Sequence, residues 1–179
     1  MIGNGACIIA GNPDTGKTTT TFNLVEMGHT FLCEEVTPVD PETFRVYPYP
    51  QVLTIEGTYA EKYRLRYPVQ NGTLKIIDSR MARYHANAVG SDPVLLKTIL
   101  VPAYDPSQTP GIEEVSPGEM FTEILGYCFP PNGDDEHLFD SVIRICEKAE
   151  IFRLRTNSLR SMRELLKELF DPDPEPSDP

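Results

Sequence analysis

Gly11 and Gly16 bracket Asn12, Pro13, Asp14 and Thr15, and Lys17, Thr18 and Thr19 follow at once. Lys17 is the sole basic residue between Gly11 and Phe22. The spacing Gly-x-x-x-x-Gly-Lys-Thr is that of a phosphate-binding loop, in which successive backbone N–H groups converge on an anion. A helix N-terminus beginning at the loop's end adds its positive dipole. In such a loop Lys17 neutralises the outer phosphates and the Thr18 hydroxyl meets Mg²⁺. Further on, Glu34 and Glu35 stand side by side. Two adjacent carboxylates at a strand end can hold a divalent ion and take a proton from an attacking hydroxyl.

This chemistry needs a strand, the glycine loop and a helix in that order. The short apolar run "ACIIA" ends at Gly11 and suits a buried strand. From Lys17 onward Phe22, Leu24, Val25 and Met27 form a broad apolar face, with Gly28 as the stop. "HTFLC" reads as a second strand that delivers Glu34 and Glu35. "VTPVD" and "FRVYPYP" read as a hairpin turning through Asp40, Pro41 and Glu42, with "QVLTI" as the next strand. Strands are expected over residues 73–78 and 95–104. Residues 80–93 show no clean period, and "DPSQTPG" reads as a loop. Ser116, Pro117 and Glu119 make a capping box with proline at the first helical position, which predicts a helix from Pro117 to about Cys128. Another helix is expected over about 135–149, then a strand over 151–155, then a helix capped by Asn157 or Ser158 and running through Leu169.

The chain of 179 residues is long enough for one sizeable core and short for two independent ones. Sixteen basic against 27 acidic residues give a formal charge of −11, which repels a nucleic-acid backbone. No apolar run approaches a membrane span and Met1 is not followed by a signal pattern, so a cytoplasmic, non-membrane protein is expected. The tail "DPDPEPSDP", residues 171–179, alternates prolines with acids and is expected to be disordered. Cys7, Cys33, Cys128 and Cys146 lack CxxC spacing and read as buried thiols rather than disulfides or zinc ligands.

The stretch "GNPDTGKTTTTFNLVEMGHTFLCEEVTPVD" resembles the phosphate-loop region of the HPr kinase/phosphorylase family: loop, helix ending in "GH", strand and acidic pair follow in that order. "DPETFRVYPYP" and "IFRLRTNSLRSMRELL" are also similar to that family, whose fold is related to that of phosphoenolpyruvate carboxykinase. The resemblance implies an α/β P-loop domain over residues 1–170, with a mixed sheet and flanking helices. It implies an ATP- and Mg²⁺-dependent kinase that phosphorylates a serine-type hydroxyl of a peptide or protein. Carried over by position, Gly11, Asn12, Pro13, Asp14, Thr15, Gly16, Lys17, Thr18 and Thr19 hold the nucleotide. Thr18, Glu34 and Glu35 contact the metal, and Lys17, Glu34 and Glu35 serve catalysis. The pair is Glu-Glu where the family has Asp-Asp, and the family's downstream glycine-rich signature has no match. A nucleotide-binding or ATPase module without transfer, and a small-metabolite kinase, stand as alternatives; homo-oligomerisation is left open.

The remaining candidates read more plainly. His29 is a helix-end residue whose charge suits the dipole. His85 lies in "SRMARYHANAVG", where Arg80 and Arg83 could clamp a phosphate or an acidic substrate, and an exposed polar loop accounts for them nearly as well. His137 reads as a surface residue, and Arg153 and Arg155 as the wet face of a strand.

Overall fold

The computed structural model describes residues 1–130 and 135–170; the expected tail, 171–179, lies outside them. In chain order the elements are β1 (Ala6–Ile9), α1 (Lys17–Glu26), β2 (Val39–Asp40), β3 (Arg45–Val46), β4 (Leu53–Ile55), α2 (Gly57–Arg66), β5 (Gly72–Ile76), β6 (Ala82–Ala86), β7 (Val94–Tyr104), β8 (Gly111–Glu114), α3 (Pro117–Leu125), α4 (Asp135–Lys148), β9 (Glu150–Thr156) and α5 (Leu159–Phe170). The protein is α/β with a mixed sheet. β1 and β9 both run parallel to β7, while β3 pairs antiparallel with β7 and β8 antiparallel with β9. A second, antiparallel sheet has the order β4-β6-β5.

Strand β7 is buried continuously from Thr98 to Pro102 and again at Leu96, as a strand covered on both faces must be. On one face α3 and α4 bring Met120, Ile124, Val142 and Cys146 against Ile99, Val101 and Ile151. On the other, α1 and α5 bring Leu24, Met162 and Leu166 against Leu100 and Leu154. A third cluster joins Phe22 and Val25 of α1 to Tyr63 of α2 and to Leu53, Ile55 and Tyr84 of the second sheet. Helix α1 is therefore enclosed by two sheets, which explains why Phe22, Asn23, Leu24, Val25 and Glu26 are all buried.

The hairpin forms as expected: Val39 pairs with Val46, and the Asp40 carboxylate accepts from the Glu42 and Thr43 N–H groups at the turn. The Ser116 capping box is also present, with Glu119 accepting from both the Ser116 N–H and its hydroxyl. Ser158 caps α5 by accepting from the Ser161 N–H.

Several expectations need correction. "HTFLC" forms no strand, only isolated bridges from Phe31 to Val89 and from Cys33 to Tyr49. Residues 80–93 are not a loop throughout, because β6 fills their middle as the central strand of the second sheet, with Ala82 and Tyr84 inward and Arg83 and His85 outward. Helix α2 and strand β8 were not expected at all. The thiols are unpaired, but Cys146 alone is fully buried and Cys128 is exposed. Arg153 and Arg155 are half-covered by ion pairs to Glu123 and Glu113 rather than open to water.

Candidate functional site

The ladder between β1 and β7 continues one residue past the strand, where the Ala10 N–H donates to the Leu100 carbonyl. The glycine loop then leaves the sheet at the carboxyl ends of its parallel strands, the edge where open α/β sheets take ligands. Its path requires glycine twice. A Cβ on Gly11 would lie 2.8 Å from Thr15 Oγ1, and Gly16 caps α1 with φ of 101°. Asp14 also adopts a left-handed φ of 64°, a turn conformation that aspartate visits more readily than most residues. Helix α1 has no side-chain cap and no acidic residue of its own in its first turn.

Within the loop, the Asn12 carbonyl accepts from Lys17 Nζ at 2.7 Å and from Thr15 Oγ1 at 2.9 Å. The ammonium is folded back onto the loop that it follows. Thr18 Oγ1 donates to Glu34 Oε1 at 3.3 Å, which joins the acidic pair to the first turn of α1. Burial pushes the Glu34 carboxyl up to about 7, Glu35 adds to the rise, and Thr18 and Lys17 oppose it. Glu35 is exposed and turns the chain at φ of 53°, where the Val36 N–H reaches back to the Glu34 carbonyl at 2.5 Å.

The helix behind the loop is anchored along its length. Asn23, fully buried, donates to the Thr19 carbonyl and to the Tyr59 hydroxyl. Arg163 of α5 donates to the Tyr63 hydroxyl at 2.7 Å and lies 4.5 Å from the centre of the Tyr67 ring. At the far end of α1, buried Glu26 accepts from the Tyr84 hydroxyl and from the Gln70 and Asn71 N–H groups. The Tyr127 hydroxyl donates to Glu123 Oε1 at 2.9 Å, and Arg153 Nη2 pairs with Glu123 Oε2 at 2.9 Å.

The fold thus brings together Lys17, Thr18 and Glu34, with Glu35 beside them and Asn12, Pro13, Asp14, Thr15 and Thr19 in the same loop and turn. Arg80, Arg83 and His85 belong to the second sheet and its turn, where Asp78 accepts from the Arg80 N–H. His29 packs its ring edgewise on Phe170. Among the described residues no group of three or more His, Cys, Asp or Glu side chains is placed to hold a metal unaided. The hard oxygen donors at hand, Thr18 Oγ1 and the Glu34 carboxylate, suit an ion that takes the rest of its ligands from water and phosphate, as Mg²⁺ does. Sequence reasoning missed Asn23, Glu26 and Arg163. No local signal marks them.

In comparisons with known proteins, no family model, curated protein or solved structure matches the chain. Among the described residues no helix is long and apolar enough to cross a membrane.

Proposed function

We propose that the chain is a P-loop kinase of the HPr kinase-like kind, which binds Mg²⁺-ATP at the glycine loop and transfers the γ-phosphoryl group to a serine-type hydroxyl of a peptide or protein. The observation that carries the reading is the hydrogen bond from Thr18 to Glu34, made beside Lys17 at the uncapped start of α1. A lysine, a hydroxyl and a half-buried carboxylate gathered at one helix N-terminus are the groups that a phosphate and its metal ion require.

The loop amides and the α1 dipole would hold the phosphates, and Lys17 would offset their charge. Thr18 and Glu34 would hold Mg²⁺, which when bound offsets the negative charge gathered on the phosphates. Glu35, exposed and next in the chain, accepts the proton of the incoming hydroxyl. The acceptor oxygen then forms its bond to phosphorus as the bond to the leaving ADP oxygen breaks.

Glu35→Gln keeps the side chain's size and removes its basicity. It is expected to leave ATP affinity within roughly tenfold of the parent and to lower transfer by about 10² to 10⁴. Radiolabel transfer from ATP to serine-containing peptides and carrier proteins measures this. Equal, slow ATP hydrolysis by parent and variant, with no transfer to any acceptor, would replace the kinase with a nucleotide-binding module.

A further inference from the structure

The second sheet has one covered face and one open face. Leu53, Ile55, Ala82 and Tyr84 turn inward and pack with Phe22 and Val25 of α1 and with Ala60 and Tyr63 of α2. The residues that alternate with them, Thr54, Thr73, Lys75, Arg83 and His85, are all exposed. The register sets three of these in one row across the strands: Arg83 of the central strand stands opposite Thr54 of β4 and opposite Lys75 of β5. In the next row His85 stands opposite Thr73. Two cations thus face each other at side-chain bases about 4.5–5.5 Å apart, a pairing that opposes the ladder it sits in. Arg144, Arg153, Arg155 and Arg160 each hold a glutamate, whereas neither Lys75 nor Arg83 forms an ion pair with any described residue.

We propose that the open face of the second sheet docks a carboxylate-rich peptide segment of a partner protein, with Lys75 and Arg83 as its principal contacts. Charge selects the partner's sign. On a chain of formal charge −11, two opposed and unneutralised cations form a local exception that an acidic segment would satisfy. Shape selects an extended segment over a compact anion, because side chains on one sheet face stand roughly perpendicular to it and do not converge as the N–H groups of a phosphate cradle do. Along an extended peptide, side chains on one face recur about every 6.6 Å, which is also the step from Arg83 to His85 along β6. Carboxylates laid between Lys75 and Arg83 would relieve their repulsion, so a pairing that weakens the free sheet strengthens the complex. The acidic surface elsewhere repels the same segment and orients its approach. None of the glycine-loop residues takes part, and the docking stands or falls apart from nucleotide binding.

Fluorescence anisotropy with labelled octaglutamate at low ionic strength tests this. The double variant Lys75→Gln, Arg83→Gln is expected to bind about three- to thirtyfold more weakly than the parent, the size of two exposed ion pairs, and the difference is expected to vanish as salt is raised. Lys62→Gln, Arg64→Gln on the exposed side of α2 removes the same charge elsewhere and is expected to stay within about twofold of the parent. Lys75→Glu sets opposite charges across the strands, so it is expected to raise the unfolding midpoint of the free protein by about 1–4 °C while weakening octaglutamate binding. If the double variant does not fold, Lys75→Glu carries the comparison. Equal affinity of parent and double variant, an equal loss in the α2 variant, or tighter binding of octathymidylate than of octaglutamate overturns the proposal. Sedimentation that shows the parent as a dimer split by the double variant also overturns it, and makes a second copy of the chain the occupant.

Discussion

Glu34→Gln should make the free protein more stable at alkaline pH, because the carboxylate it replaces is costly to the fold. Burial raises the Glu34 carboxyl from its ordinary value of 4.5 to about 7. The folded chain therefore holds this proton more tightly than the unfolded chain does. Below pH 4.5 both states are protonated and no penalty exists. Between pH 4.5 and 7 the unfolded state ionises while the folded state resists, so stability falls as pH rises, and above 7 the loss is complete. At 1.36 kcal/mol per pH unit the rise sets a ceiling of about 3.4 kcal/mol. Glu34 is only partly buried, so solvent screening reduces that figure to about 1–2 kcal/mol. Glutamine retains an oxygen to accept from Thr18 and carries no charge. The variant is expected to unfold about 2–8 °C above the parent at pH 8, at about 2–4 °C per kcal/mol for a chain of this size, and at the parent's temperature at pH 4. Thermal unfolding in chelator, without nucleotide, measures both. A variant less stable than the parent at pH 8, or an equal difference at both pH values, refutes the argument that burial of this carboxylate opposes folding.

Two further outcomes follow from the same geometry. Thr18→Val keeps the side chain's shape and removes the oxygen that meets Glu34, so calorimetry with ATP should lose the Mg²⁺-dependent part of the affinity and keep most of the metal-free part; equal loss of both would count against the metal role. Glu26→Ala leaves the Tyr84 hydroxyl and the Gln70 and Asn71 N–H groups without their buried acceptor, so urea unfolding should register a loss of about 3–5 kcal/mol; a loss under about 1 kcal/mol would show that water replaces the carboxylate.

What the sequence disclosed and what it hid divide along a physical line. The glycine loop, the capping box at Ser116 and the Asp40 turn were legible because each is a contract among residues a few positions apart, settled by backbone sterics and local hydrogen bonds. Helix α2 escaped notice because it buries only Gly57, Ala60 and Tyr63 and so shows no apolar stripe. Strand β6 does alternate, but alanine and tyrosine fill its inward positions and blur the period. "HTFLC" carries strand-forming residues, yet its neighbours offer single bridges rather than a ladder, and tertiary context overrode propensity.

The long-range contacts were illegible for a deeper reason, and they bear on how the site works. Asn23 and Glu26 look like polar residues on the wet side of an amphipathic helix, but α1 has no wet side, since one sheet covers each flank. A polar group there persists only with partners, and those partners come from α2, the second sheet and the segment joining α2 to β5. The same bonds that satisfy Asn23 and Glu26 therefore fix the rotation of α1 about its axis. That rotation decides whether Thr18 faces Glu34 and where Lys17 begins. The buried polar residues far from the loop thus help set its geometry, and the second sheet, which supplies none of the reacting groups proposed here, is part of the reason those groups meet.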